Sequence, residues 1–113
     1  MLRDNKIDYI EFNATDISAT KIFYSAVFGW KFTDYGPHYS SFEDGRIAGG
    51  FAQGTVAPAG TLVVIYVDDL AAAEARVKQC GGKVTKEPFT FPGGSRFHFS
   101  DPSGNELAVW HEE

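Results

Sequence analysis

Cysteine is almost missing from this chain. Cys80 is the single one in 113 residues, which rules out an internal disulfide and fits a reducing, cytoplasmic setting. Clusters of Lys and Arg are absent too, and the formal charge of −5 is spread along the chain, so nucleic acid and anionic membranes are excluded as expected partners. No apolar run approaches the ~20 residues that a membrane span needs, and the opening "MLRDNKIDY" lacks the hydrophobic segment of a secretion signal. The glycines around Gly49 and Gly50 have neither the G-x-G-x-x-G spacing nor a following Lys-Ser/Thr, so they make no phosphate loop and read as close backbone packing or a bulge. Cys80, beside Gly81 and without a neighbouring His, reads as a small buried apolar group, and no nucleophile constellation is visible.

Aromatic side chains, by contrast, are plentiful. Hydrophobic residues at 43% and charged residues at 22% are ordinary for a globular domain, but 15% aromatic is more than a core of this size holds. Some of the rings are therefore expected at a cavity or an interface. A chain of this length fits one domain able to bury roughly two-thirds of its unfolded surface.

Alternation begins at "IDYIEFNA" (7–14), with Ile10, Phe12 and Ala14 on one strand face and Tyr9, Glu11 and Asn13 on the other. "TDISATKIFYSAVFGW" then predicts a helix capped by Thr15 or Asp16, with Ile17, Ile22, Phe23, Ala26 and Val27 at helical spacing and Gly29 as the stop. "WKFTDYG", "HYSSFEDG" and "RIAGGFAQG" read as three short strands, and 54–61 as a connector rich in Gly, Pro, Ala and Thr. The second half repeats this order. "LVVIYV" (62–67) is followed by a helix capped by Asp68 or Asp69 and ended by Gly81-Gly82, then by strands near 83–89, 94–100 and 106–111. A shift of 53 pairs Asp16 with Asp69 and Gly29 with Gly82, and a shift of 59 over the last strands pairs Gly49 with Ala108 and Phe51 with Trp110. The expectation is an α+β fold of two β-α-β-β-β repeats, about 5–54 and 60–112, within one domain of residues 1–113.

These paired units, together with "NATDISATKIFYSAVFGWKF", "VDDLAAAEARVKQCGGKV" and "DPSGNELAVW", resemble the vicinal oxygen chelate superfamily of glyoxalases, bleomycin resistance proteins and extradiol dioxygenases. "FYSAVFGW" and "GRIAGGF" are similar to its branch of predicted enzymes related to lactoylglutathione lyase. The resemblance implies curled mixed sheets around a cavity, helices outside, and a homodimer. It also implies metal ligands on the first and last strands of each unit, at Tyr9, Gly49, Leu62 and Ala108. Gly, Leu and Ala offer no ligand atom, and a one-residue slip brings only apolar neighbours such as Ile10, Val63, Leu107 and Val109. No cofactor is therefore expected, though a divalent metal is not excluded.

Glu11 and His98 are the candidate proton-transfer groups, a carboxylate and an imidazole on alternating strands. Arg96, two residues before His98, suits an anionic group of a ligand. Tyr9, Phe51, Tyr66 and Trp110, with Leu62 and Ala108, stand at parities expected to line the cavity, and flat rings suit a conjugated small molecule. The first reading is a metal-independent binder of a small organic molecule. A metal-dependent lyase, isomerase or dioxygenase recruiting Glu11 and His98 as ligands is the second, and a sequestering protein with no reactive group is the third.

Overall fold

The computed structural model describes residues 3–55 and 60–113, so positions 56–59 of the expected connector lie outside the described residues. The order is β1 (Lys6–Ala14), α1 (Ile17–Phe28), β2 (Lys31–Asp34), β3 (Tyr39–Glu43) and β4 (Ala48–Gln53), then β5 (Thr61–Tyr66), α2 (Leu70–Gln79), β6 (Lys83–Phe91), β7 (Gly94–Ser100) and β8 (Glu106–Glu112). This is β-α-β-β-β twice, as the sequence predicts. Asp16 and Asp69 are the helix N-caps, each carboxylate accepting a backbone N–H three residues on, from Ala19 and Ala72. Gly29 ends α1 with φ of 74°, a left-handed conformation that favours glycine.

Contacts gather the chain into two compact units, Tyr9–Leu62 and Val63–Glu113, the latter with the chain's opening residues up to Asp8. In the Tyr9–Leu62 unit the strand order is β2-β3-β4-β1, with β4 parallel to β1 and the other pairs antiparallel. One sheet face buries Ala14, Ile17, Phe42 and Phe51 against Phe12, Tyr24, Trp30 and Phe32. The rings stack closely, Trp30 on Phe42 at 4.4 Å, Tyr24 on Trp30 at 4.6 Å and Phe12 on Phe51 at 5.3 Å. Burying each such side chain contributes about 1.5–3 kcal/mol.

In the Val63–Glu113 unit the order is β5-β8-β7-β6, with β8 parallel to β5. Val67, Ala73, Phe97 and Val109 form its core, with Ile65, Leu70, Val77, Val84 and Phe99 packed on them. Residues of β5 and β8 alternate cleanly: Val63, Ile65 and Leu107, Val109 pair on the helix side, Val64, Tyr66 and Ala108, Trp110 on the other.

Three sequence expectations are corrected here. The apolar positions Ile22, Phe23 and Val27 of α1 are turned outward, 70%, 54% and 55% exposed, while Ile17 and Tyr24 face the sheet because the Tyr24 ring continues the aromatic stack. Cys80 is exposed, since it is the residue that caps the end of α2 and has left the packed face. The last-strand shift is 58 (108 − 50), not 59. Gly45 and Gly104 both turn the chain with positive φ, but β4 begins three residues after its glycine and β8 two residues after. Gly50 therefore corresponds to Ala108, and Gly49 and Phe51 lie on the helix side, where Phe51 is only 4% exposed. Phe51 is a core residue and not a lining residue, because the extra turn residue reverses the parity of the whole strand.

Candidate functional site

Each unit has a strand face turned away from its helix, and the chemistry-bearing side chains collect there. In the Tyr9–Leu62 unit, β1 supplies Tyr9 and Glu11, β3 supplies Tyr39, and β4 lies between them with Gly50 opposite Glu11. The Tyr9 and Tyr39 hydroxyls are 2.5 Å apart, and the Tyr39 hydroxyl donates to Glu11 Oε1 at 3.1 Å. All three are half-buried. Burial first, and the nearby Glu11 carboxylate second, push the Tyr39 phenol well above the usual tyrosine range, so it stays a neutral donor. Glycine at position 50 is a packing requirement. A Cβ there would lie 2.5 Å from Tyr39 Cζ and 2.6 Å from the Tyr9 hydroxyl, inside van der Waals contact.

In the Val63–Glu113 unit, register brings Arg96 opposite Trp110 and His98 opposite Ala108, while Tyr66 pairs with Trp110 across β5 and β8. The Arg96 guanidinium lies 5.5 Å from the Phe89 ring centre and 5.8 Å from that of Phe91. His98 is 7% exposed; its Nδ1 sits 3.3 Å from Glu106 Oε2 and its Nε2 is buried without a hydrogen-bond partner. Burial, then Arg96, lower its pKa below the ordinary histidine value, against the opposing pull of Glu106, so the ring is neutral near pH 7. The Trp110 indole N–H donates to Asp8 at 3.0 Å, and its ring meets Tyr66 edge-on at 5.3 Å. Tyr66 itself is 1% exposed, because Arg3 lies over its ring at 3.8 Å while pairing with Glu112 at 2.5 Å. That ion pair holds the Glu112 carboxylate below its ordinary range.

A shallow groove of about 710 Å³ lies along α1 and β2, lined by residues that include Lys21, Ile22, Trp30 and Phe32. It contains none of the expected site residues. The family's ligand positions, corrected for the β4 parity, are Tyr9, Gly50, Leu62 and Ala108. Three of these carry no donor atom, so the set does not fit a divalent ion. Among the described residues, no three His, Cys, Asp or Glu side chains converge as a metal-binding group. Nor is any described helix long and apolar enough to cross a membrane.

Comparison with known proteins gives this architecture its place. Residues 6–109 match the family model described as Glyoxalase/Bleomycin resistance protein/Dioxygenase superfamily. The chain belongs to that superfamily. A curated superfamily relative, "Anthracycline biosynthesis protein DnrV" of Streptomyces peucetius, is 29% identical over 126 residues, which cover 92% of this chain and 46% of the relative. The chain thus spans about half the length of the curated relatives it matches. Among solved structures, a superfamily member from Vibrio splendidus 12B01 superposes with a TM-score of 0.73 at 15% identity, covering 92% of this chain and 97% of the other. The Mn(II)-bound glyoxalase from Novosphingobium aromaticivorans superposes with a TM-score of 0.72 at 24% identity, covering 96% of this chain and 39% of the other. These two likenesses show the superfamily's fold.

Tyr39 is the site residue that sequence reasoning missed. The strand "HYSSFEDG" was legible, but Tyr39 meets Glu11 only through a pairing 28 residues apart. The adjacent glycines were the available signal: a strand position that must be glycine marks something bulky crossing it.

Proposed function

We propose that this chain binds a small organic molecule on its helix-free strand faces and does so without the metal ion that some superfamily members carry. The observation that supports the reading is the side-chain set at the four ligand positions, where Gly50, Leu62 and Ala108 supply space and apolar surface in place of donors. Tyr9, Glu11 and Tyr39 in one unit, and Arg96, His98 and Trp110 in the other, are the polar and aromatic groups available to a ligand. A relative named for anthracycline biosynthesis supports a flat, mainly apolar ligand class. Affinity then comes from buried apolar area, at roughly 25 cal/mol per Å² before ordering costs, with hydrogen bonds fixing orientation. Glu11 and His98 are the groups able to accept a proton if the molecule is also turned over. We further propose a single domain of two repeats, a cytoplasmic location and a homodimer.

The test is elemental analysis of protein purified without added metal, followed by a thermal-shift screen of small aromatic compounds with and without chelator. The expected result is no stoichiometric transition metal, a melting temperature unchanged by chelator, and stabilisation by some aromatic compounds in both conditions. About one tightly bound metal per chain overturns the metal-free reading.

A further inference from the structure

The Tyr9, Tyr39 and Glu11 cluster has a direction. A phenol has one hydrogen to give, and the hydrogen of Tyr39 goes to Glu11 Oε1. The contact between the two hydroxyls then leaves Tyr9 as the donor and Tyr39 as the acceptor. Both phenol hydrogens are thus committed along one line that ends on a carboxylate. A molecule approaching either phenol oxygen meets a hydrogen-bond acceptor and, behind it, a negative charge.

We infer that this relay selects ligands that present a neutral hydroxyl, a phenol or an enol, and rejects both the corresponding ether and the ionised oxyanion. The inference rests on the reading of this chain as a binder of small organic molecules, and gives that ligand its polar handle. Three strands hold the relay rigid, since β1, β3 and β4 each contribute a member and Gly50 leaves room for the two phenols to touch. The raised titration of Tyr39 agrees with the direction, because a phenol that stays protonated remains a donor to Glu11. No covalent step is involved: the ligand's hydrogen is shared with a phenol oxygen and no bond other than O–H is at issue.

The probes are 4-nitrophenol and 4-nitroanisole, which match in shape and differ in the hydroxyl hydrogen. Calorimetric titration at a pH where the phenol is neutral should show it binding about ten-fold tighter than the ether, the worth of one hydrogen bond to a charge-backed acceptor. Its absorption spectrum in the complex should stay that of the neutral form, and its apparent pKa should rise. Tyr39→Phe breaks the line, so the preference should shrink to about two-fold or less. Glu11→Gln, with the charge gone, should return the bound pKa toward that of the free probe. The melting temperature of each variant confirms that it is folded. Equal affinity of phenol and ether in the native chain, or binding of the yellow phenolate, overturns the relay while leaving the organic-ligand reading standing. Failure of both probes to bind at millimolar concentration also overturns it, whereas the metal analysis and the wider screen decide that broader reading on their own.

Discussion

Alanine placed at the two adjacent glycines of β4 tests the parity of the strand from both sides. At Gly49 the new methyl would meet the Ile10 backbone carbonyl and the Phe42 ring, with Phe42 Cε2 at 2.5 Å. Neither can give way, because the carbonyl belongs to the neighbouring strand and Phe42 is 3% exposed in the aromatic core. Overpacking of this kind costs typically 1–3 kcal/mol, and with backbone and core both blocked the expected cost is about 3 kcal/mol or more. At Gly50 the methyl meets the outer ends of Tyr39 and Tyr9, which can swing outward at the loss of their mutual hydrogen bonds. Two such bonds at about 0.5–1.5 kcal/mol each set the cost near 2 kcal/mol. Urea unfolding midpoints measure both, and melting temperatures should fall by roughly 4 °C per kcal/mol. The decisive arm is the Tyr39→Ala background, in which Gly50→Ala should lose most of its cost and Gly49→Ala none, since the latter acts on the opposite face. If Gly50→Ala costs the same with and without the Tyr39 ring, the assignment of the two faces is wrong.

Phe51→Ala should destabilise the chain by about 3–5 kcal/mol in the same unfolding assay, as expected of a buried ring stacked on Phe12 and Tyr24; a loss under 1 kcal/mol would contradict its core placement. Stability should fall as pH drops below about 6.5, because the His98 pKa is lowered by burial and by Arg96, with Lys86 adding and Glu106 opposing. A group depressed in the fold contributes stability that is present above its unfolded pKa and lost as pH falls through its folded value, so His98→Gln should flatten the slope between about pH 5 and 7. An unchanged slope would show that His98 is not the group responsible. Light scattering at micromolar concentration should give the mass of two chains, and a monomer mass would end the homodimer proposal.

Much of the fold was legible because its signals are local. Asp16 and Asp69 announce helix starts within a few residues, and the alternation of "IDYIEFNA" separates Phe12 and Ala14 from Tyr9 and Glu11 without any tertiary information. The same alternation put Arg96 and His98 on one face, and the pairing of β7 with β8 adds Ala108 and Trp110 to it. β4 failed for a physical reason. "AGGF" has no side chain at two successive positions to declare which face is which, and the turn before it differs by one residue from its counterpart. α1 misled in another way, since its most apolar stripe is exposed and a tyrosine packs inward. Tyr39 needed knowledge of which strand lies beside which, and no local pattern carries that.

Trp110 and Asp8 are 102 residues apart in sequence, yet one N–H···O bond joins them, close to the pairing of Arg3 with Glu112. To make that bond the chain must close a loop of nearly its whole length, at an entropic cost that only contacts formed elsewhere can offset. In time, then, this corner is expected to be assembled last and to open first, ahead of any loss of the aromatic core. Under force the consequence is sharper. A tether pulling on the two ends would load this corner before any other, so the first rip in an extension trace should vanish in Asp8→Ala and leave the later ones in place.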